Sequence, residues 1–245
     1  MDLASLISLC LAGSAAAVPH GLWSAWSFAP QTVLPLAIAF VLYARKARSL
    51  PRWQVACFTA GWLVLVLALV SPLCRLSATL VSAHMVQHVL LVAVAAPLLV
   101  LGMDLRAQGN AMLATATYGL AIWLWHFPPV YAAVLLDATA HTLAYAALIA
   151  ASLWFWAAVL NTGLRAAPML FVTILHTGAL GALLTFAGRP WYPILAPGAE
   201  LWGLAPLVDQ QLAGLIMWVP MGTLYLVVAL ALIMRQISPR EPLAT

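Results

Sequence analysis

Charge is what this sequence lacks most. Ten Lys and Arg and six Asp and Glu make up 7% of 245 residues, where a soluble domain carries roughly 25%. So few charges cannot coat a water-exposed globule of this length. At 65% hydrophobic, the chain is also excluded from the disordered class, which needs low hydrophobicity. Cysteine is scarce: Cys10, Cys57 and Cys74 stand far apart with no CxxC, so neither a disulfide framework nor a zinc site is expected. The sequence holds no GxxxxGK[ST] phosphate loop, no nucleophile elbow and no HExxH. Its acids are too few and too separated for a catalytic carboxylate pair. An enzyme is not expected. Nor is a nucleic-acid partner, because the basic residues lie between apolar runs rather than in one patch.

What the chain has is apolar length. Seven runs, 31–44, 53–73, 80–101, 111–127, 139–160, 168–187 and 210–234, each approach the 20 or so residues that span roughly 30 Å of hydrocarbon. Helix is the state that satisfies their backbone groups in lipid. The expectation is an all-α, polytopic membrane bundle of about seven spans over 20–237. Residues 1–19 precede it as either a cleaved signal or a retained hydrophobic segment, since Ala15-Ala16-Ala17 offers a cleavage site but the start carries Asp2 and no basic residue. Residues 238–245 form a tail.

Basic residues set an expected orientation. With the start of the first run outside, the inner connections and the tail hold Arg45, Lys46, Arg48, Arg52, Arg106, Arg165, Arg235 and Arg240, and the outer connections only Arg75 and Arg189. This bias puts the C-terminus in the cytoplasm. Trp125, Tyr131, Trp191 and Trp202 then fall near outer ends and Tyr43, Trp53 and Trp156 near inner ends, as an aromatic belt.

In that topology His20, His84, His88, His126 and His141 lie toward one outer face, and His176 lies near mid-membrane, where an interior histidine with satisfied hydrogen bonds is expected. Polar residues within a membrane usually face the bundle interior. His84-Met85-Val86-Gln87-His88 is the sharpest feature, because imidazoles four apart on a helix share one face and can hold one ion. His126 and His141 sit at the same depth, and Met85 is at the edge of that face. The rival reading is a set of interfacial histidines bonded to water and headgroups. On the last run Gln210, Gly214, Met217 and Met221 recur at 0, 4, 7 and 11, below Asp209 at the entrance. Thioethers favour Cu(I) and imidazole binds copper well, so this stripe reads as a copper path or, alternatively, as methionine packing. Asp209 itself is positioned to bond a histidine or an amide. Asp137 and Glu200 read as solvated outer-loop acids, and Asp104 with Arg106 as an inner turn.

These segments resemble a known family. His84-Met85-Val86-Gln87-His88 followed by Ala96-Pro97-Leu98-Leu99-Val100-Leu101-Gly102, then Trp125-His126-Phe127-Pro128-Pro129-Val130-Tyr131, then Asp209-Gln210-Gln211-Leu212-Ala213-Gly214-Leu215-Ile216-Met217-Trp218, are similar in kind and order to the polytopic CtaG family of bacterial cytochrome c oxidase assembly factors. The resemblance runs from about His20 to Met234. It implies a multi-pass protein of the bacterial inner membrane that associates with oxidase subunits or other assembly factors and provides copper to a haem-copper oxidase. The expected ligands are His84, His88, His126 and His141, with Met217 and Met221 contributing and Met85, Asp209 and Gln210 in support. One departure stands out: the family has a second histidine four residues after the position of His141, and here that residue is Tyr145. A b-type cytochrome with haem on two of the same histidines, a metal-free scaffold and a transporter are the alternatives.

Overall fold

The computed structural model describes residues 8–12, 17–106 and 110–237, and among them every regular element is helical. The helices are α1 (Pro30–Ala47), α2 (Arg52–Val70), the short α3 (Pro72–Ser77), α4 (Val81–Val89), α5 (Ala96–Met103), α6 (Ala111–His126), α7 (Pro128–Leu136), α8 (Ala138–Thr162), α9 (Ala167–Thr185), the short α10 (Ala196–Leu201), α11 (Pro206–Ile216) and α12 (Gly222–Ile237). Two of the joins are π-helical. Leu90–Ala95 links α4 to α5 and Met217–Met221 links α11 to α12. Pro97 follows the first and Pro220 lies in the second. A proline removes one ladder bond and crowds the carbonyl four residues back, and a widened π turn accommodates both effects.

The chain is a multi-pass α-helical membrane protein, and the expected count of about seven spans is not confirmed. Four helical stretches are long and apolar enough to cross a membrane: Arg52–Val70, Val81–Met103, Ala138–Thr185 and Pro206–Arg235. The pair Ala111–His126 and Pro128–Leu136, bent by 75°, would make five. Two causes account for the difference. Helix α1 is 18 residues long with Arg45 and Lys46 in its last turn, which dilutes its apolar content. The fifth and sixth expected runs are joined through a 3-10 turn, Gly163–Ala166, into 48 helical residues, about 72 Å of helix at 1.5 Å per residue. That run is not a single rod. Gly163 adopts φ 63°, which favours glycine. Beyond it α9 returns alongside α6, with His176 beside Gly119, while α8 packs on α6 as well.

Apolar residues point both ways, as expected where lipid replaces water. Leu120, Leu143, Phe171 and Leu175 lie on the outer surface, whereas Tyr118, Phe155, Trp156, Leu170 and Tyr225 are fully buried. Close approach of α9 and α11 depends on glycine: a Cβ on Gly214 would lie 2.5 Å from the Gly181 carbonyl oxygen, which fits the use of small residues at membrane helix contacts. The aromatic-belt expectation fails at two positions. Trp156 is a core residue whose Nε1 donates to the Val92 carbonyl at 2.6 Å, and Tyr131 is buried against His84. The expectation for the cysteines also fails. Cys10 and Cys74 form a disulfide, invisible in the spacing because 64 residues separate them. Around it the described part of the first stretch packs down: Ala12 N donates to Leu135 O, Ala17 N to Thr79 Oγ1, and Arg75 Nη2 to Ser8 Oγ.

Candidate metal centre

Helix α4 carries two of the candidate ligands, and its start is fixed from outside the helix. Leu80 is extended and offers no side-chain cap, so the first amides of the helix have no intrahelical acceptor. Asp209, 1% exposed on α11, supplies one. Its Oδ2 accepts from Val81 N at 2.7 Å and its Oδ1 from Ser82 N at 3.1 Å, and the Ser82 hydroxyl donates to it as well. A carboxylate at a helix N-terminus also meets the positive end of the helix dipole. One turn further on, Gln87 pins the helix sideways. Its Nε2 donates to the Ala68 carbonyl at 2.7 Å, and its Oε1 accepts from the Tyr145 hydroxyl at 2.6 Å. Tyr145, which stands where the family resemblance leads one to expect a histidine, therefore positions the helix between His84 and His88.

His126 is the last residue of α6, and the sequence places it there. Pro128 and Pro129 follow, and a residue before proline is driven out of the helical region. Phe127 accordingly has φ −66° and ψ 123°, and the chain turns by 75° into α7. The free carbonyl of His126 accepts from the Tyr192 hydroxyl at 2.8 Å. Its ring Nδ1 lies 2.6 Å from the Ile122 carbonyl and is thus the protonated nitrogen, which leaves a lone pair on Nε2.

His84, His88 and His126 are brought together. They are 6%, 4% and 2% exposed, and ligand atoms from the three lie within 4.8 Å of one another. Nδ1 of His84, Nδ1 of His88 and Nε2 of His126 are buried without a hydrogen-bond partner. Tyr131 packs edge-on against His84 with ring centroids 4.9 Å apart, and stacks at an angle on Tyr192 at 4.5 Å. A cavity of about 20 Å³ adjoins His84 and His88, walled by Trp125, Tyr131 and Tyr145, room for about one water or one ion. Two nitrogens on one tetrahedral ion are about 3.4 Å apart given bonds near 2.05 Å. Ring movements of up to about 1.5 Å would therefore gather the three onto an ion.

The other candidates fall elsewhere. His141 is buried on α8 but outside the trio; its ring stacks on Tyr145 at 4.5 Å and its Nδ1 has no partner. Met85, Met217 and Met221 are fully buried side chains of the main apolar core. Gly214 of the stripe packs on Gly181 and Thr185 of α9. Gln210 turns to the connection after α9: its Oε1 accepts from Trp191 N at 2.5 Å, and its Nε2 lies 3.4 Å from the Leu184 and Arg189 carbonyls. Neither ring nitrogen of His176 has a hydrogen-bond partner, unlike the satisfied histidine expected. Asp137 is exposed and caps α8 through Ala140 N. Arg106 pairs with Asp104 at 3.6 Å, where Asp104 adopts a left-handed turn conformation (φ 50°). Sequence reasoning missed Gln87, Tyr131, Tyr145 and Tyr192 as supports. Gln87 and Tyr131 lie inside segments it singled out, so a polar residue between two ligand candidates was the available signal.

Helices that bury three imidazoles this close together define a polytopic membrane protein with a side-chain set that could hold a metal ion. The sequence model of the cytochrome c oxidase caa3 assembly factor family (Caa3_CtaG) matches residues 36–108 and 105–238, most of the chain and all three histidines. The chain belongs to this family and is an assembly factor for cytochrome c oxidase. No curated protein and no solved structure matches it.

Proposed function

We propose that this protein serves oxidase assembly by holding a copper ion on His84, His88 and His126 and delivering it to a copper centre of the oxidase. One observation carries the reading: three buried imidazoles bring ligand nitrogens within 4.8 Å of one another, and each ring has a buried nitrogen without a hydrogen-bond partner. Burying such nitrogens without partners costs of order 1–3 kcal/mol each, and a single ion bonded to all three removes that cost. Imidazole suits copper and zinc alike; the tie to a copper-containing oxidase favours copper. A donor set of three leaves the ion a further position for an incoming ligand, as delivery requires. Haem is disfavoured, since a macrocycle between two of these rings has no place in a cavity of about 20 Å³.

In this reading Asp209, Gln87 and Tyr145 orient the ligands rather than bind the ion. His141, stacked on Tyr145, stands next to the trio rather than in it, and Met217 and Met221 act as packing. The ligand-bearing ends of α4 and α6 face the outside of the bacterial inner membrane and the C-terminus faces the cytoplasm, as the distribution of basic residues favours. The test is metal analysis of protein purified without strong chelators, for the wild type and for His84→Ala, His88→Ala and His126→Ala. The expected result is about one copper per wild-type chain and loss of most of it in each variant. Full copper content in all three variants would overturn the assignment.

A further inference from the structure

The cavity at His84 and His88 is small, but beside His126 lies a groove of about 700 Å³, lined by Trp123, His126, Phe127, Arg189, Trp191 and Pro193. His126 thus belongs both to the trio and to the lining of a large open space. The groove wall is built rather than loose: buried Gln210 holds Trp191 through its amide and reaches the Arg189 carbonyl. Arg189 is exposed, and among the described residues no carboxylate pairs with it.

We infer that this groove receives a segment of the copper-accepting protein. This rests on the copper reading above and names the partner's chemistry: a polypeptide with a carboxylate for Arg189 and an imidazole or thioether that reaches the ion past His126. The aromatic walls suit apolar side chains flanking those groups. The headgroup of phosphatidylglycerol or cardiolipin would satisfy Arg189, but it carries no nitrogen or sulfur ligand for the ion. Transfer is ligand exchange. A bond from the partner's nitrogen or sulfur to the ion forms as the bond to His126 Nε2 breaks. The lone pair returns to the neutral imidazole, the ion keeps its oxidation state and no electron moves.

The test uses the full-length protein in native membranes and in purified form. With Arg189→p-benzoylphenylalanine, illumination of membranes is expected to crosslink the chain to the copper-bearing subunit of the oxidase, identified by peptide mass. In a transfer assay from the copper-loaded protein to copper-depleted oxidase, Arg189→Glu is expected to hold as much copper as the wild type yet transfer it roughly tenfold more slowly, with Arg189→Lys near the wild type, because a rim charge acts mainly on association. Crosslinks to lipid alone, or an unchanged transfer rate in Arg189→Glu, would overturn the proposal. If the wild type binds no copper, the metal reading falls by itself and the crosslink decides the docking surface: capture of that subunit sustains it, and absence of capture ends it.

Discussion

Asp209→Ala removes the acceptor for the first two amides of α4 and for the Ser82 hydroxyl. The hydroxyl can turn to another acceptor, so the magnitude rests on the two amides. A hydrogen bond to a charged group contributes about 1.5–3 kcal/mol. Relief of the cost of burying the carboxylate offsets part of this, so the net loss is expected at roughly 2–4 kcal/mol. Asp209→Asn keeps one carbonyl oxygen but turns an NH2 group toward the second amide. It should lose about 1–2 kcal/mol, in the range of an N-cap deletion. The consequence for the site follows from position: His84 lies in the first turn of α4, four residues after Leu80, and loosening that turn displaces its ring. A residue that orients a metal ligand typically changes affinity by about 10- to 100-fold. Denaturant unfolding in detergent measures the first effect and copper titration the second. If Asp209→Ala unfolds and binds copper like the wild type, α4 is held by packing alone and the argument is wrong. If Asn and Ala are equally damaging, the carboxylate charge, not the count of acceptors, governs.

At matched protein levels, His88→Ala should strip most copper and lower oxidase activity in cells, whereas Met217→Leu, a near volume-conserving core change, should leave both close to wild type; equal losses would return the methionines to the ligand set. Cys10→Ser should cost at most about 4 kcal/mol by the loop-entropy estimate for a separation of 64 residues, and wild-type Cys10 and Cys74 should resist thiol labelling until reduced. A reporter that is active only outside the cytoplasm, fused after Thr245, should be silent; activity there would reverse the orientation.

The fold class was legible because apolar runs of span length are a composition signal, and the trio because four residues make a helical face and Pro128 stops α6 at His126. The span count was less so. Runs 139–160 and 168–187 are separate helices, as read, but the first continues to Thr162 because Asn161 and Thr162 turn their side chains back to the carbonyls of Ala157 and Ala158, and Gly163 makes the turn. Least legible were contacts between distant segments. The disulfide pairs residues 64 apart, and nothing local distinguishes Cys10 or Cys74 from Cys57. His141 shares its expected depth with His126, but depth does not fix azimuth, and its ring lies on Tyr145 rather than in the trio. Trp156 and Tyr131 were assigned by depth too, and depth places a residue near an interface without saying whether it faces lipid or protein.

Asp209 and Gln210 show what such a reading omits and what adjacency can still give. Successive residues on an α-helix point about 100° apart, at 3.6 residues per turn, so one polar pair at a helix entrance addresses two neighbours. Asp209 turns to α4 and holds the start of the helix that bears His84 and His88. Gln210 turns to the chain after α9 and holds the segment of Arg189 and Trp191. Both side chains are 1% exposed, and each is hydrogen-bonded, as buried polar groups must be. The two arms therefore reach the ligand helix and the groove wall from a single turn of α11. A shift of that turn would move the donors of the site and the surface beside His126 together, so Asp209→Ala and Gln210→Ala should each disturb one arm first and the double variant should be worse than the sum if α11 tilts as a unit.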